Sequence, residues 1–355
     1  MRAILDRLCL YPRTCVWEIT ARCNFQCLHC ASALGPGAGR GKELSPARAL
    51  RLCEELAQLG CRYAVLSGGE PLLREDWPTL LRRLRELGVD VGMITNGWFV
   101  TEGVVDELVR SGLCILAVSL DGLRDTHDDI RRRLGSFEAA VGAIAKARRA
   151  GLRTHVVTHI NRLNRRELSG MLALLESAGV ATWLVQLSAP FGRLREHPEL
   201  VLAPDELPAL ADWLVQARRS SRLQIAVGDN IGYYSKWELP LRGRADGKNL
   251  GFWCGCSAGC FTVGIESNGN VKGCLSLQSR EFIEGNITRQ DLATIWRRRG
   301  AFRYTREFEV SNLGGYCSGC EYGEICRGGC TFMAAAATGR PGDNPYCLYR
   351  LQQRE

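Results

Sequence analysis

The stretch Val16-Trp-Glu-Ile-Thr20-Ala-Arg-Cys23-Asn-Phe-Gln-Cys27-Leu-His-Cys30 decides how the chain is read. Its first five residues are apolar or β-branched enough for a strand. Three cysteines follow at once, on a loop at the carboxyl end of that strand, where α/β barrels place their chemistry. Three thiolates leave one position of a four-coordinate centre open. That is wrong for a closed structural zinc site and right for an iron–sulfur cluster with one exchangeable iron. Thiolate donors favour zinc or iron–sulfur over metals that prefer oxygen. On spacing alone, zinc and coincidence remain the rivals.

Working outward, further strand patterns fall at Tyr63–Ser67, Val89–Thr95, Ile115–Leu120, Thr154–Thr158 and Thr182–Leu187, with amphipathic stretches between them. Ser45-Pro46 offers a helix N-cap followed by proline at the first helical position, and Gly60 stands where that helix should stop. Gly88, Gly112, Gly151 and Gly179 repeat the stop signal. Six β/α units with apolar strands predict an α/β fold, a parallel sheet covered by helices. A full (β/α)₈ barrel needs two more units than the pattern supplies, so the expectation is a partial (β/α)₆ barrel. One more helix is expected over residues 205–220, an irregular bridge over 221–252, and a small cysteine-rich domain beyond it. That last segment buries too little apolar surface to stand without covalent or metal staples. The expected division is an N-terminal segment 1–14, a core barrel 15–220, a bridge 221–252 and a cysteine-rich domain 253–355.

The 355 residues are 46% hydrophobic and 24% charged, as in an ordinary globular protein. No run approaches the ~18 apolar residues of a membrane span. The N-terminus lacks a signal peptide's long apolar run and small-residue cleavage site, so no membrane association and a cytoplasmic location are expected. The net charge of +8 comes largely from arginines spread along helices, which read as solvated faces. Basic and aromatic residues are not interleaved along any stretch, so no nucleic-acid partner is expected. Seventeen cysteines in a chain without an export signal point to metal ligation rather than disulfides.

The Cys23-x₃-Cys27-x₂-Cys30 loop, followed after the second strand by Ser67-Gly68-Gly69-Glu70-Pro71, resembles the radical S-adenosylmethionine (SAM) superfamily. The resemblance implies a [4Fe–4S] cluster on Cys23, Cys27 and Cys30, with SAM chelating the fourth iron through its amino and carboxylate groups. Gly68 and Gly69 would let bare backbone approach that amino group, and Glu70 offers it an anionic partner. His29 matches a position that is usually aromatic and packs near the adenine. Asn96, Ser119 and Asp121 end the third and fourth strands and resemble segments flanking the methionine and ribose. Arg131 is expected to contact the SAM carboxylate, with Arg132 and Arg133 competing for that role. Asn161 and Asn164 are either cofactor contacts or turn formers.

Downstream, Cys254, Cys256, Cys260 and Cys274 precede Cys317-x₂-Cys320-x₅-Cys326-x₃-Cys330 and then Cys347. This resembles the SPASM extension. It implies two auxiliary clusters, making three [4Fe–4S] clusters in all. One would take Cys317, Cys320, Cys326 and Cys347. The other would take Cys274 and Cys330 with two of Cys254, Cys256 and Cys260; the pair Cys254 and Cys260 is favoured. Zinc is the structural rival for the 317–330 run. Cys9, Cys15, Cys53, Cys61 and Cys114 read as small buried hydrophobes.

The family chemistry is reductive cleavage of SAM to a 5′-deoxyadenosyl radical, which takes a hydrogen atom from substrate. The electron would come from a flavodoxin or ferredoxin. By resemblance the substrate is a ribosomal precursor peptide, oxidatively crosslinked or decarboxylated. About fifteen residues precede the first strand, so a peptide substrate would need a separate leader-binding protein or direct docking. Leu275 after Cys274 stands where sulfatase maturases carry an acid, which argues against that activity. Asp229 and Tyr233, in the bridge, are the proposed catalytic proton acceptors; loop packing is the plain alternative. A haem-pathway decarboxylase and a non-enzymatic metal-binding module are the competing readings.

Overall fold

The structure is a computed structural model that describes residues 10–37, 40–243 and 251–354. All six expected strands are present: β1 (Thr14–Thr20), β2 (Tyr63–Gly68), β3 (Asp90–Thr95), β4 (Ile115–Ser119), β5 (Thr154–Ile160) and β6 (Thr182–Leu187). They lie side by side in sequence order and are parallel throughout. Consecutive parallel strands require a crossover each, and the helices between them supply it.

The sheet extends past the expected six strands on both sides. Gln224–Val227, inside the stretch expected to be irregular, forms β7 beside β6. Its QIAV sequence is too short to announce itself, and Ile225 is buried only because Trp183 and Val185 are its neighbours. Thr262–Ile265 forms β8, parallel to β1 on the other edge, followed by antiparallel β9 (Asn270–Lys272) and β10 (Gly285–Asn286). The sheet is open, with β10 and β7 at its edges.

Period-two alternation divides its two faces. Cys15, Trp17, Leu66, Met93, Val118, Val156 and Val185 point into the core shared with the covering helices. In register on the opposite, open face lie Val16, Val65, Ser119, His159 and Gln186, each half-buried. Two helix starts are pinned by local chemistry. Ser45 accepts the Arg48 N–H at the start of helix Pro46–Gln58. Asp128 caps helix Ser136–Arg149 from outside, accepting from the Gly135 and Phe137 N–H groups and the Ser136 hydroxyl at 2.7–2.8 Å.

A buried ionic network rivets β1 to β8 and β9. Arg40 donates to Glu18 at 2.8 Å and lies 3.3 Å from Glu266, which pairs with the fully buried Lys272 at 2.5 Å. Arg40 also donates to Gln278 at 2.6 Å, and Gln278 to Ser32. The loop after Cys30 is thereby tied to the segment after Cys274.

Candidate iron–sulfur and cofactor site

The Cys23–Cys30 loop leaves the end of β1 and is held by backbone from neighbouring strands. The Gly69 and Glu70 N–H groups donate to the Thr20 and Arg22 carbonyls at 2.9 and 2.8 Å. A Cβ on Gly69 would run into the Arg22 carbonyl and the Cys23 side chain, so this close approach requires glycine. Arg193, after β6, donates to the Cys27 and Leu34 carbonyls at 2.8 and 2.7 Å. Asn96 donates to Asn24 at 2.8 Å, which ties the β3 end to the same loop.

Glu70 does not reach outward as an anionic partner. It is fully buried, accepting from the Thr95 hydroxyl and Asn96 N–H at 2.8 Å and from the Leu72 N–H. Burial raises its pKa to about 7 against those hydrogen bonds. Its work is to lock β2 to β3. Ser119 is half-buried on the open face of the sheet.

Asp121 is the hub of the site. Its Oδ1 accepts the His159 N–H at 2.8 Å; its Oδ2 lies 2.5 Å from Arg131 and 3.3 Å from His29 Nε2. Burial pushes the Asp121 pKa up, but Arg131 and His29 outweigh it and hold the carboxyl well below its usual range. The His127 ring accepts the Asp121 N–H at 2.9 Å. Arg131 is the one inward member of its trio: Arg132 and Arg133 are exposed, the latter stacked over Trp98. Asn161 forms a turn, its Oδ1 accepting from Leu163, while Asn164 donates to the Asp121 and His159 carbonyls at 2.9 Å. The sequence reading missed His159 and His127. A histidine at the carboxyl end of the strand THVVTHI, the end where such folds place their chemistry, was the available signal for His159.

All sixteen described cysteines are free thiols. Burial pushes the Cys23 thiol up to about 12 and raises Cys27 as well. Thiolates so placed need a metal to compensate them. Among the described residues, no three Cys, His, Asp or Glu side chains converge tightly enough for a single metal ion.

The C-terminal cysteines form two groups. Cys317, Cys320, Cys326 and Cys347 line one small cavity, and Gly323, Gly328 and Gly329 contribute bare backbone to its wall. The Asn344 amide, also on that wall, is buried and has an unpartnered nitrogen. In the second group, burial raises Cys256, Cys260, Cys274 and Cys330, and Cys256 adds its charge to the other three. One nitrogen each of Arg306 and Arg327, beside this group, lacks a hydrogen-bond partner among the described residues. Donors left so are suited to cluster sulfur. The favoured pair Cys254 and Cys260 is not what the structure brings together: Cys254 is exposed, its sulfur against the Phe252 carbonyl, and Cys256 takes the inner position.

Asp229 is exposed to water and lies near Cys256, Cys274 and Cys330. Burial raises its pKa, and Arg242, 3.9 Å away, pulls it partly back. Tyr233 is not a proton acceptor. It is fully buried, donating to the Asp229 carbonyl at 2.5 Å and accepting the Cys330 N–H at 3.0 Å. Burial also drives its pKa well above the usual phenol range. Cys15, Cys53 and Cys61 are core residues as expected. Cys114 is half-buried with its sulfur 3.6 Å from Asp90, because its strand end faces out. Cys9 lies outside the described residues.

Comparison with known proteins agrees with this geometry. The radical SAM superfamily profile matches residues 17–175, and that of the SPASM iron-sulfur cluster-binding domain matches 256–321. The AdoMet-dependent heme synthase of Methanosarcina barkeri is 31% identical over 96% of this chain and 97% of its own length. The mycofactocin maturase MftC of Mycobacterium tuberculosis is 31% identical over 94% of this chain and 82% of its own. Streptococcus suis SuiB bound to S-adenosylmethionine superposes with a TM-score of 0.74 at 17% identity, covering 97% of this chain and 78% of that one. No helix among the described residues is long and apolar enough to cross a membrane. Fold, cysteine groups and relatives converge: the chain belongs to the radical SAM superfamily, as an enzyme carrying a SPASM iron–sulfur domain.

Proposed function

We propose that the enzyme oxidatively modifies a ribosomal precursor peptide, using SAM and three [4Fe–4S] clusters. The observation that carries this reading is the cleft itself. It is the half-buried sheet face of Val16, Val65, Ser119, His159 and Gln186, bounded by the Cys23–Cys30 loop after β1 at one side and by Asp229 after β7, beside the second cysteine group, at the other. Cys23, Cys27 and Cys30 would hold the SAM-binding cluster. Cys256, Cys260, Cys274 and Cys330 would hold the first auxiliary cluster, and Cys317, Cys320, Cys326 and Cys347 the second. When bound, the first cluster and SAM supply a one-electron cleavage that yields a hydrogen-abstracting 5′-deoxyadenosyl radical. The protein's own part is placement. Gly68 and Gly69 present backbone to the cofactor, Asn96 and Ser119 flank it, and Asp121 with His29 orders its far side. Asp229 accepts the proton that a net oxidation releases. A flavodoxin or ferredoxin is the proposed electron donor, and a separate leader-binding protein the proposed helper.

Three buried cations are already paired with carboxylates, Arg131 with Asp121 and Arg40 and Lys272 with Glu18 and Glu266, which supports a peptide over a polycarboxylate. A second reading, decarboxylation of a haem precursor, is favoured by the even coverage of the heme synthase relative. Incubation with SAM, a strong reductant and either an iron porphyrin or peptides encoded beside the gene decides between them. A mass change in the peptide is expected. Loss of carbon dioxide from the porphyrin alone would favour the second reading.

A further inference from the structure

Arg131 stands where a SAM contact is expected, yet its guanidinium is already turned to two other partners. Nη1 lies 3.8 Å from Cys27 Sγ, within the range of an N–H···S hydrogen bond, and Nη2 lies 2.5 Å from Asp121 Oδ2. Both arginine and aspartate are buried. The carboxylate that aims the guanidinium is itself fixed, its other oxygen taken by the His159 N–H. Backbone support comes from the same helix, where the Leu28 N–H donates to the Ile130 carbonyl at 2.8 Å. The Cys27 loop and Arg131 are thus held in one register.

We propose that Arg131 is a redox-positioning residue that donates a charge-assisted hydrogen bond to the Cys27 thiolate and raises the reduction potential of the SAM-site cluster. The proposal rests on the reading that Cys23, Cys27 and Cys30 hold that cluster. One electron from a low-potential donor adds one negative charge to the cluster, with no bond made or broken in the protein. A buried cation within hydrogen-bond reach of a ligand sulfur stabilises the reduced state more than the oxidised one. Asp121 offsets part of this from farther away. Removing Arg131 therefore also leaves a buried carboxylate facing the cluster, and both changes act in the same direction.

The test is an EPR-monitored potentiometric titration of the reconstituted holoenzyme without SAM, comparing wild type, Arg131→Lys and Arg131→Gln. The SAM-site signal is identified by its loss in a Cys23/Cys27/Cys30 triple alanine variant. We expect Arg131→Gln to move that midpoint to more negative potential, Arg131→Lys to move it less, and the auxiliary midpoints to stay put. An unchanged midpoint in Arg131→Gln with full iron content would overturn the proposal. Electron–nuclear double resonance on wild type carrying guanidino-¹⁵N arginine tests it without any variant. A coupling to the reduced SAM-site cluster is expected, and its absence contradicts the hydrogen bond. A triple alanine variant that loses no EPR signal would instead refute the underlying cluster assignment.

Discussion

At the scale of single residues, the chemistry rests on buried groups that are costly without their partners. Glu70 is the clearest. Its pKa near 7 in the fold, against an ordinary 4.5, means that the fold favours its protonated form. That stabilisation is complete below about pH 4.5 and lost as pH rises through about 7. Replacing Glu70 by Gln should therefore cost least, or even stabilise, above about pH 8, and cost most near pH 5. Thermal melts of both proteins across that window check the sign; a difference independent of pH would contradict it. Legibility in the sequence was uneven at this scale. Cys23, Cys27 and Cys30 could be read because all the ligands sit in one loop. Cys256 against Cys254 could not, since both satisfy the linear spacing and only burial separates them. Tyr233 read as a catalytic hydroxyl because its sequence gives no sign that Asp229 and Cys330 occupy it from both sides.

Among the elements, long periodic segments were legible and short ones were not. The six strands β1–β6 have apolar faces long enough to show their period, and glycine stops close the helices between them. The four residues of β7 and of β8 carry too little pattern, and their strand character comes from neighbours already in place. Asp128 gives a test of how one element starts. It satisfies two N–H groups and a hydroxyl at the start of helix Ser136–Arg149 from a different helix. Asp128→Ala should destabilise the protein by about 1–2 kcal/mol, the usual worth of such a cap. Denaturant unfolding measures it, and a loss below about 0.3 kcal/mol would contradict the assignment.

Across the whole molecule, the cluster loop of β1 and the cysteine-rich C-terminal segment share one sheet and one buried ionic network. Glu266 is matched to two cations there, Lys272 and Arg40. Glu266→Ala should leave the buried Lys272 uncompensated, while Arg40 keeps Glu18, and cost about 3–5 kcal/mol. The apolar double replacement Glu266→Leu with Lys272→Met should cost much less, because it removes the charges as a pair. Equal losses in the two proteins would refute the network's electrostatic role. The two-part organisation was visible in the sequence as a change in cysteine and glycine content. The continuity of the sheet across that change was not, because it depends on β8 pairing with a strand some 250 residues earlier.

The central claim is that three groups of cysteines hold three separate four-iron clusters. Iron per chain, counted after anaerobic reconstitution in wild type and in the Cys23/Cys27/Cys30 triple alanine variant, tests it most directly. The account predicts about twelve irons in the first and about eight in the second, with SAM cleavage confined to the first. About four irons in wild type, or an unchanged count in the variant, would contradict it.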